Sequence, residues 1–291
     1  MKLNLLIGIF GVLALTACDA DIEPVDQQLV MPEEQNPAQW EQYITALKAY
    51  KSGEHYTIYA RFDNAPEKIT SEKNCLRSMP DSLDFVALTN PLSKYDREDL
   101  PGVQAKSTKV LLVVDCSDPT TAVQKVDDAI TSVSVDGLDG IVISYSGPVS
   151  DAARTAETTI AAKLNAWGKT AVFEGNTAFV ASENRDKYAR YILDVTSLET
   201  VFSLRSEVDY AVNRLGIPIE KLLLATSPSA TIADESLTYQ SAIAEVARCV
   251  MAYGPMGGLA IYDISDDYYS ASINYPLTKA AINLLNPAYT E

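Results

Sequence analysis

The feature that most constrains the fold is a regular alternation of short apolar segments with longer amphipathic ones. Eight segments rich in branched aliphatic residues have the composition of buried strands and are followed by polar residues. They cover residues 56–62, 83–88, 109–114, 135–145, 169–173, 188–193, 221–225 and 258–262. Helical periodicity of apolar residues is found over residues 38–50, 121–132, 151–167, 198–215, 237–253 and 276–285.

Buried strands that alternate with helices predict an α/β protein, and eight of them predict a closed (β/α)8 TIM barrel. The alternative is a doubly wound open sheet, but no glycine-rich phosphate loop opens any of the helices. The 291 residues suffice for one large core. We therefore expect a single barrel domain over residues 37–291.

The first residues are predicted to be a lipoprotein signal peptide, residues 1–17, rather than part of the fold. Lys2 precedes an apolar run over residues 3–15 that is too short to span a membrane. The run ends in Leu-Thr-Ala-Cys, which resembles a lipobox and makes Cys18 the predicted lipidation site and membrane anchor. A plain secretory signal is the alternative. Residues 18–36, rich in Pro, Glu and Gln, are predicted to be an acidic linker.

Charge and composition exclude several classes of function. The net charge of -16 disfavours nucleic acid as a partner, because an acidic surface repels phosphate backbones. Besides Cys18 the chain has three cysteines, Cys75, Cys116 and Cys249, and an odd number cannot all pair as disulfides within one chain. No pair of them has metal-ligand spacing. His55 is the one histidine. The sequence therefore predicts neither a metal site nor a cofactor.

The apolar segment at residues 135–145 also carries a motif. Its sequence, Val-Asp-Gly-Leu-Asp-Gly-Ile-Val-Ile-Ser-Tyr, resembles the DGxDxDxE signature on the fourth barrel strand of glycoside hydrolase family 18, which contains chitinases and endo-β-N-acetylglucosaminidases. Asp136 and Asp139 match two of its acids, while the other two positions fall on Ile141 and Ile143. The alternative is a chance match of an ordinary hydrophobic strand.

Three further segments strengthen the resemblance. Residues 50–55 and 79–84, before the first and second strands, are similar to extracellular family 18 proteins of glycan-foraging bacteria. Residues 257–262 resemble an eighth-strand motif in which a tryptophan forms the floor of the sugar site, and here Tyr262 takes that position.

Asp19, Asp21 and Glu23, after the predicted anchor, resemble an export tag for the outer face of the outer membrane, although a solvated tether would look the same.

The resemblance implies a family 18 barrel that has lost its catalysis. In the family, a glutamate protonates the glycosidic oxygen and an aspartate holds the acetamide of the substrate. Ile143 and Ile141 can do neither, and general acid catalysis is typically worth roughly 10²–10⁴-fold in rate. With no carboxylates above it, Asp139 is expected to cap the start of the strand. No catalytic residue is therefore predicted from the motif.

Candidate binding residues follow from the architecture, because barrel sites are built at the carboxyl ends of the strands. Hydrogen-bonding side chains with an aromatic floor suit neutral sugars. The predicted glycan-binding residues are Asp63, Asn90, Asp115, Ser144, Tyr145, Glu174, Asn176, Asp194, Tyr262 and Asp263. Glu174 and Asp194, from neighbouring strands, could alternatively act as a displaced acid and base.

The sequence thus favours a cell-surface lipoprotein that binds N-glycans or other N-acetylglucosamine-containing oligosaccharides for uptake, beside an outer-membrane glycan importer. One alternative is an active endo-β-N-acetylglucosaminidase or chitinase-like hydrolase that uses displaced carboxylates. A third is a barrel with a plugged cleft that works through protein contacts, for which the tyrosine-rich residues 262–269 are suited.

Overall fold

The computed structural model describes residues 32–64 and 68–287. The predicted signal peptide, Cys18 and most of the predicted linker lie outside the described residues. The chain divides into two units, residues 1–41 and 42–291. In the first unit, Pro32–Gln35 forms a four-residue helix, α1.

The second unit is a closed parallel barrel, which confirms the predicted fold. Its strands are β1 (Thr57–Phe62), β2 (Phe85–Leu88), β3 (Lys109–Asp115), β4 (Gly140–Tyr145), β5 (Thr170–Gly175), β6 (Arg190–Asp194), β7 (Leu222–Thr226) and β10 (Gly258–Ile261). They pair in the circular order β1-β10-β7-β6-β5-β4-β3-β2, so β1 and β5 lie on opposite sides of the barrel.

Helices lie before the first barrel strand, in the connections between strands and after the last strand. They are α2 (Pro37–Ser52), α3 (Lys94–Ala105), α4 (Pro119–Asp136), α5 (Asp151–Trp167), α6 (Val201–Asp209), α7 (Ala242–Tyr253) and α8 (Pro276–Leu285). A π-helical segment, Tyr210–Arg214, follows α6 directly. No helix among the described residues combines the length and the apolar character needed to cross a bilayer.

The apolar pattern did not predict α3. Its residues are mostly polar and include Pro101 and Gly102, which disfavour a helix interior. The helix nevertheless has a strong start, since the Ser93 hydroxyl accepts from the Asp96 amide and the Asp96 carboxylate accepts from the Ser93 amide. This reciprocal cap satisfies two of the free amides at the helix start.

The prediction of helix over residues 237–241 is wrong, because a small antiparallel hairpin precedes α7. Its strands are β8 (Thr231–Ala233) and β9 (Tyr239–Ser241). Asp234 fixes the turn, since its carboxylate accepts from the amides of Ser236 and Thr238. Apolar periodicity does not register such a side-chain turn.

Two apolar layers hold the barrel. Alternate strand residues such as Tyr59, Val142 and Val172 form one cluster that fills the lumen, together with Tyr262 directly after β10. The other alternate residues, among them Ile141 and Ile143, belong to a larger cluster with the inner faces of the helices. Successive side chains of a strand point to opposite faces, so this division fixes the orientation of every barrel residue.

Candidate binding site at the barrel mouth

The start of the motif segment is helical, not extended as the sequence suggested. Asp136 is the last residue of α4, and Gly137 ends the helix in the left-handed conformation with φ 74°. The Asp136 carboxylate accepts from Arg97 at 2.9 Å and from the Ser132 hydroxyl at 3.2 Å. Asp136 therefore joins two helices at the base of the barrel and lies far from its carboxyl end.

Asp139 stabilises the strand start, as the sequence suggested. Its Oδ2 accepts from the Val110 backbone amide at 2.8 Å and from the Gln104 side chain at 3.0 Å. The contact joins the segment before β4 to β3 and its preceding helix. This role requires no substrate.

The predicted register of the signature is wrong for Ile141 and Ile143. Both side chains are fully buried in the cluster that packs against the helices. They face away from the lumen, where a catalytic pair would have to point. Their neighbours Val142 and Ser144 face the lumen, since Val142 lies in the lumen cluster and the Ser144 hydroxyl reaches Glu174.

The second Asp-Gly pair of the segment gives a register that fits the side-chain directions. Starting DGxDxDxE at Asp139 and Gly140 places its remaining acids on Val142, Ser144 and Ser146. A Cβ at Gly140 would lie 2.0 Å from the Thr170 carbonyl oxygen, so the backbone requires glycine there. In this register two serines stand at the last two acid positions.

A polar cluster closes the lumen at its carboxyl end, the mouth of the barrel. We name the five residues Tyr59, Arg61, Ser144, Glu174 and Tyr262 the mouth cluster. The Glu174 carboxylate, only 2% exposed, accepts from Arg61 Nη1 at 2.6 Å, from Tyr59 Oη at 3.1 Å and from Ser144 Oγ at 3.3 Å. Because Arg61 and Tyr59 lie on β1 and Glu174 on β5, the bonds from these two residues cross the full width of the barrel.

Burial and charge shift the pKa values of this cluster. Burial raises the pKa of Glu174 above its usual range, while the Arg61 guanidinium and the Tyr59 and Ser144 hydroxyls oppose the rise. Burial also places the pKa of Tyr59 and of Tyr262 well above the ordinary range, and the Glu174 charge adds to it. Both tyrosines are therefore neutral at neutral pH.

Tyr262 does not form the open aromatic floor that the sequence suggested. The ring is 8% exposed, and the Arg61 guanidinium carbon lies 5.5 Å from the ring centroid. Its hydroxyl is buried near Glu174 and has no hydrogen-bond partner within the part of the chain that the structure describes. The ring therefore supports Arg61 through a cation–π contact.

Other predicted residues form an exposed polar rim around the mouth cluster. Asp115 and Asp263 lie close enough to Arg61 for electrostatic interaction, and Asp194 is similarly close to Tyr262. The hydrogen bonds from Ser117 lower the pKa of Asp115. Next to them, Asp63 Oδ1 accepts from Asn90 Nδ2 at 2.7 Å.

Two predicted residues do not present their side chains to the mouth. The Tyr145 ring is buried against Phe179 on the helix side, with centroids 4.0 Å apart, and its hydroxyl donates to the Pro148 carbonyl. Asn176 is exposed, but its side chain holds the chain in place by donating to the Gly147 carbonyl and accepting from the Ala178 amide. The prediction that Tyr145 faces a ligand is thus wrong.

Sequence reasoning missed Tyr59 and Arg61, which make the shortest contacts to Glu174. The signal was present, because Tyr59 and Arg61 alternate along β1 and so share its lumen face. A large polar residue and a cation on the lumen face of a barrel strand require a partner inside the barrel.

A cavity of about 320 Å³ lies beside the mouth. Its walls are the ends of β4, β5 and β6 and the π-helical segment, and they include Ser146, Asn176, Asp194 and Tyr210. Its volume is at the lower end of the range usual for small-ligand sites. Within residues 32–64 and 68–287, no group of three or more His, Cys, Asp or Glu residues could hold a metal ion.

These features define a (β/α)8 barrel with a polar site at its carboxyl end, the arrangement of barrel enzymes and of binding proteins built on the same scaffold. Residues 20–116 match the sequence model of "Glycoside hydrolase family 18, BT1044-like". The resemblance to family 18 predicted from the sequence is thereby confirmed. A search of curated proteins finds no match.

Solved structures of family 18 proteins share the fold. A selenomethionine-labelled BT1044 variant superposes with a TM-score of 0.72 at 19% identity, covering 88% of this chain and 95% of that one. The endo-β-N-acetylglucosaminidase of Cordyceps militaris gives 0.63 at 17% identity, with 84% and 96% covered. A chitinase of Pseudomonas fluorescens gives 0.52 at 11% identity, with 78% and 99% covered.

Proposed function

We propose that this protein is a non-catalytic, glycan-binding barrel of the family 18 type. The observation that carries the proposal is the side-chain direction on β4, which leaves Val142, Ser144 and Ser146 at the acid positions of the signature. A serine hydroxyl does not supply a proton to a glycosidic oxygen at neutral pH, because its pKa is far too high.

The nearby carboxylate Glu174 does not replace the missing acid in this proposal. A general acid has to reach the glycosidic oxygen, within about 2.6–3.2 Å between heavy atoms. Glu174 is almost completely buried and already accepts three hydrogen bonds, one of them from Arg61. Its raised pKa would suit an acid, but its position beneath Arg61 does not.

A glycan is proposed to bind above the mouth cluster, on the exposed rim. Arg61, with 34% of its side chain exposed, presents the upper surface of the cluster, and Asp115, Asp194 and Asp263 surround it. Charged and amide side chains of this kind bond sugar hydroxyls. The glycan would be an N-glycan or another N-acetylglucosamine-containing oligosaccharide.

The proposed location is the cell surface, through a lipid on Cys18 and the acidic residues that follow it. Display next to an outer-membrane glycan importer would give the bound oligosaccharide a route into the cell. Metabolic labelling with a fatty-acid analogue tests the anchor, since Cys18→Ser should abolish incorporation of the label.

Calorimetry with chitooligosaccharides and high-mannose N-glycans tests the binding proposal. We expect saturable binding without released sugar, and weaker binding for Asp194→Asn and Asp115→Asn. The matched control is Glu220→Gln, an exposed carboxylate outside the rim. Release of reducing sugar that is lost in Glu174→Gln would instead establish a hydrolase.

A second candidate function is supported by the Arg61–Glu174 contact across the barrel. A lumen closed by side chains leaves no deep subsite, which favours a barrel that acts through protein contacts. This candidate predicts no binding of any tested glycan, together with capture of a partner protein by the rim.

A further inference from the structure

The opposite end of the barrel holds a second polar region with the reverse charge. Thr57, Lys109 and Arg190 occupy the first lumen-facing positions of β1, β3 and β6, two residues before Tyr59, Leu111 and Ile192. Together with Lys48, Lys51, His55 and Asp84 they line a cavity of about 300 Å³, which we name the basic cavity. It lies at the amino-terminal face, far from the mouth.

Charge in the basic cavity is unbalanced. Its lining includes the basic side chains of Lys48, Lys51, Lys109 and Arg190 as well as His55, but only one carboxylate, that of Asp84. Asp84 is already engaged, because it accepts from His55 Nε2 at 2.9 Å and from the Ile58 amide at 2.8 Å. In residues 32–64 and 68–287, no carboxylate forms an ion pair with Lys51, Lys109 or Arg190.

This excess of cations stands out in a chain with a net charge of -16. Lysine and arginine in an acidic protein are normally neutralised by nearby carboxylates. Cations gathered around a small cavity repel one another and concentrate a positive field within it. That field favours the binding of an anion from solution.

The donors that remain free point to the kind of anion. Arg190 uses Nε and Nη2 on the Thr57 hydroxyl and Nη1 on the Ala189 carbonyl, so two of its five N–H groups remain. Lys51 donates to the Leu83 carbonyl and the Thr108 hydroxyl, both at 2.6 Å, so one of its three N–H groups remains. Lys109 donates to the Thr170 hydroxyl at 3.3 Å, so two of its three N–H groups remain.

A neighbouring cavity provides an internal comparison. It measures about 560 Å³ and shares Lys51, His55, Thr57 and Arg190 with the basic cavity, but its walls also include Glu54 and Glu220. These two carboxylates reduce its attraction for anions. The basic cavity is therefore the favoured position.

We propose that the basic cavity binds a small tetrahedral oxyanion, phosphate or sulfate, between Lys51, Lys109 and Arg190. Convergent donors from three separate elements suit such an anion, whose oxygens accept in several directions. The ligand chemistry is the phosphate or sulfate group, either as a free ion or attached to a larger molecule. The proposal is independent of the function proposed for the mouth.

Titration calorimetry of the purified full-length protein with inorganic phosphate and sodium sulfate tests the proposal, at constant ionic strength maintained with chloride. We expect saturable binding of at least one of the two, and weaker binding of acetate. Lys109→Gln should reduce the affinity by about fivefold, the factor expected for one exposed charge contact. Lys48→Gln provides a second variant at an exposed position.

Lys94→Gln is the matched control, because it removes the same charge from an exposed lysine that does not line the cavity. Absence of saturable binding by both phosphate and sulfate would overturn the proposal, and so would an equal loss in Lys94→Gln and Lys109→Gln. Once free phosphate or sulfate binds, competition by a phosphorylated or sulfated monosaccharide shows whether the cavity accepts an attached group.

Discussion

Arg61 and Glu174 form an ion pair at 2.6 Å between strands on opposite sides of the barrel. A pair in this position joins β1 to β5 directly, although the two strands are separated by three others in either direction around the barrel. It closes the lumen at the end where barrel enzymes bind substrate. The contact therefore bears on both the stability and the function of the protein.

Removing the Glu174 charge should destabilise the barrel. We expect Glu174→Gln to lower the free energy of unfolding by about 1–3 kcal/mol, because Arg61 and Tyr59 lose a charged acceptor. A double-mutant cycle with Arg61→Met, followed by urea denaturation, should give a coupling energy of similar size. The partly exposed pair Lys163 and Asp127, which does not cross the barrel, serves as the control and should couple by no more than about 0.5 kcal/mol. Equal coupling in both pairs would contradict the structural role of the mouth pair.

The two buried tyrosines of the mouth cluster should respond differently to loss of their hydroxyls. Tyr59→Phe removes a hydrogen bond to the Glu174 carboxylate and should cost about 1.5–3 kcal/mol. Tyr262→Phe removes a buried hydroxyl that has no partner in the described structure, so its effect should be near zero or stabilising. Chemical denaturation of both variants measures the loss in free energy of unfolding. A larger loss for Tyr262→Phe than for Tyr59→Phe would show that the Tyr262 hydroxyl is hydrogen-bonded to Glu174.

The direction of the β4 side chains can be tested by introducing a carboxylate. Ile143→Glu would bury a charge in the core between barrel and helices, and we expect a loss of about 4 kcal/mol or more. Ser146→Glu, at an exposed position after the strand, should change stability by less than about 1 kcal/mol.

Ile143→Ala keeps this test measurable if the glutamate variant does not fold. It should cost about 2–5 kcal/mol, as is usual for truncation of a buried isoleucine. Thermal unfolding measures the effect of both Ile143 substitutions. If both effects are mild, the Ile143 side chain faces the mouth, and the register first predicted from the sequence is correct.

His55 should make stability depend on pH. Its hydrogen bond to Asp84 raises its pKa above 6.5, so the folded state holds the proton more tightly than the unfolded state. This contribution to stability is complete below pH 6.5 and is lost as the pH rises through the raised pKa. His55→Gln should therefore flatten the decline in unfolding free energy above pH 6.5, measured by urea denaturation at a series of pH values.

Lys51 produces the opposite slope at higher pH. Burial lowers its pKa to about 8, so the folded state loses this proton before the unfolded state does, and stability increases above about pH 8. The two effects are separable, because His55→Gln alters the first and Lys51→Met the second. An unchanged profile in His55→Gln would show that the Asp84 contact does not control the titration.

Much of the fold was predictable, because buried parallel strands leave a clear apolar pattern. All eight barrel strands were located, and α5 and α8 were placed with their observed bounds. The pattern failed where side chains bonded to the backbone determine the structure. The Ser93 and Asp96 cap supports a polar helix, and Asp234 fixes a hairpin inside a segment with helical periodicity.

The site was predictable in part. Glu174, Ser144 and Tyr262 were identified because they follow apolar strands, and the structure brings all three together. Tyr59 and Arg61 were overlooked because they lie inside a strand rather than after it. The signature was placed one Asp-Gly pair too early, since two such pairs occur in succession and both fit the motif in sequence.

By itself, the sequence determined the barrel, the approximate position of each strand, and the similarity to family 18, because these depend on local composition and on the period of apolar residues. Only the tertiary structure decided which face of β4 looks into the lumen, and so which residues occupy the acid positions. It alone also showed that Arg61 reaches Glu174 across the barrel. The physical reason is that side-chain direction and pairing between distant strands are fixed by closure of the sheet, which no local pattern encodes.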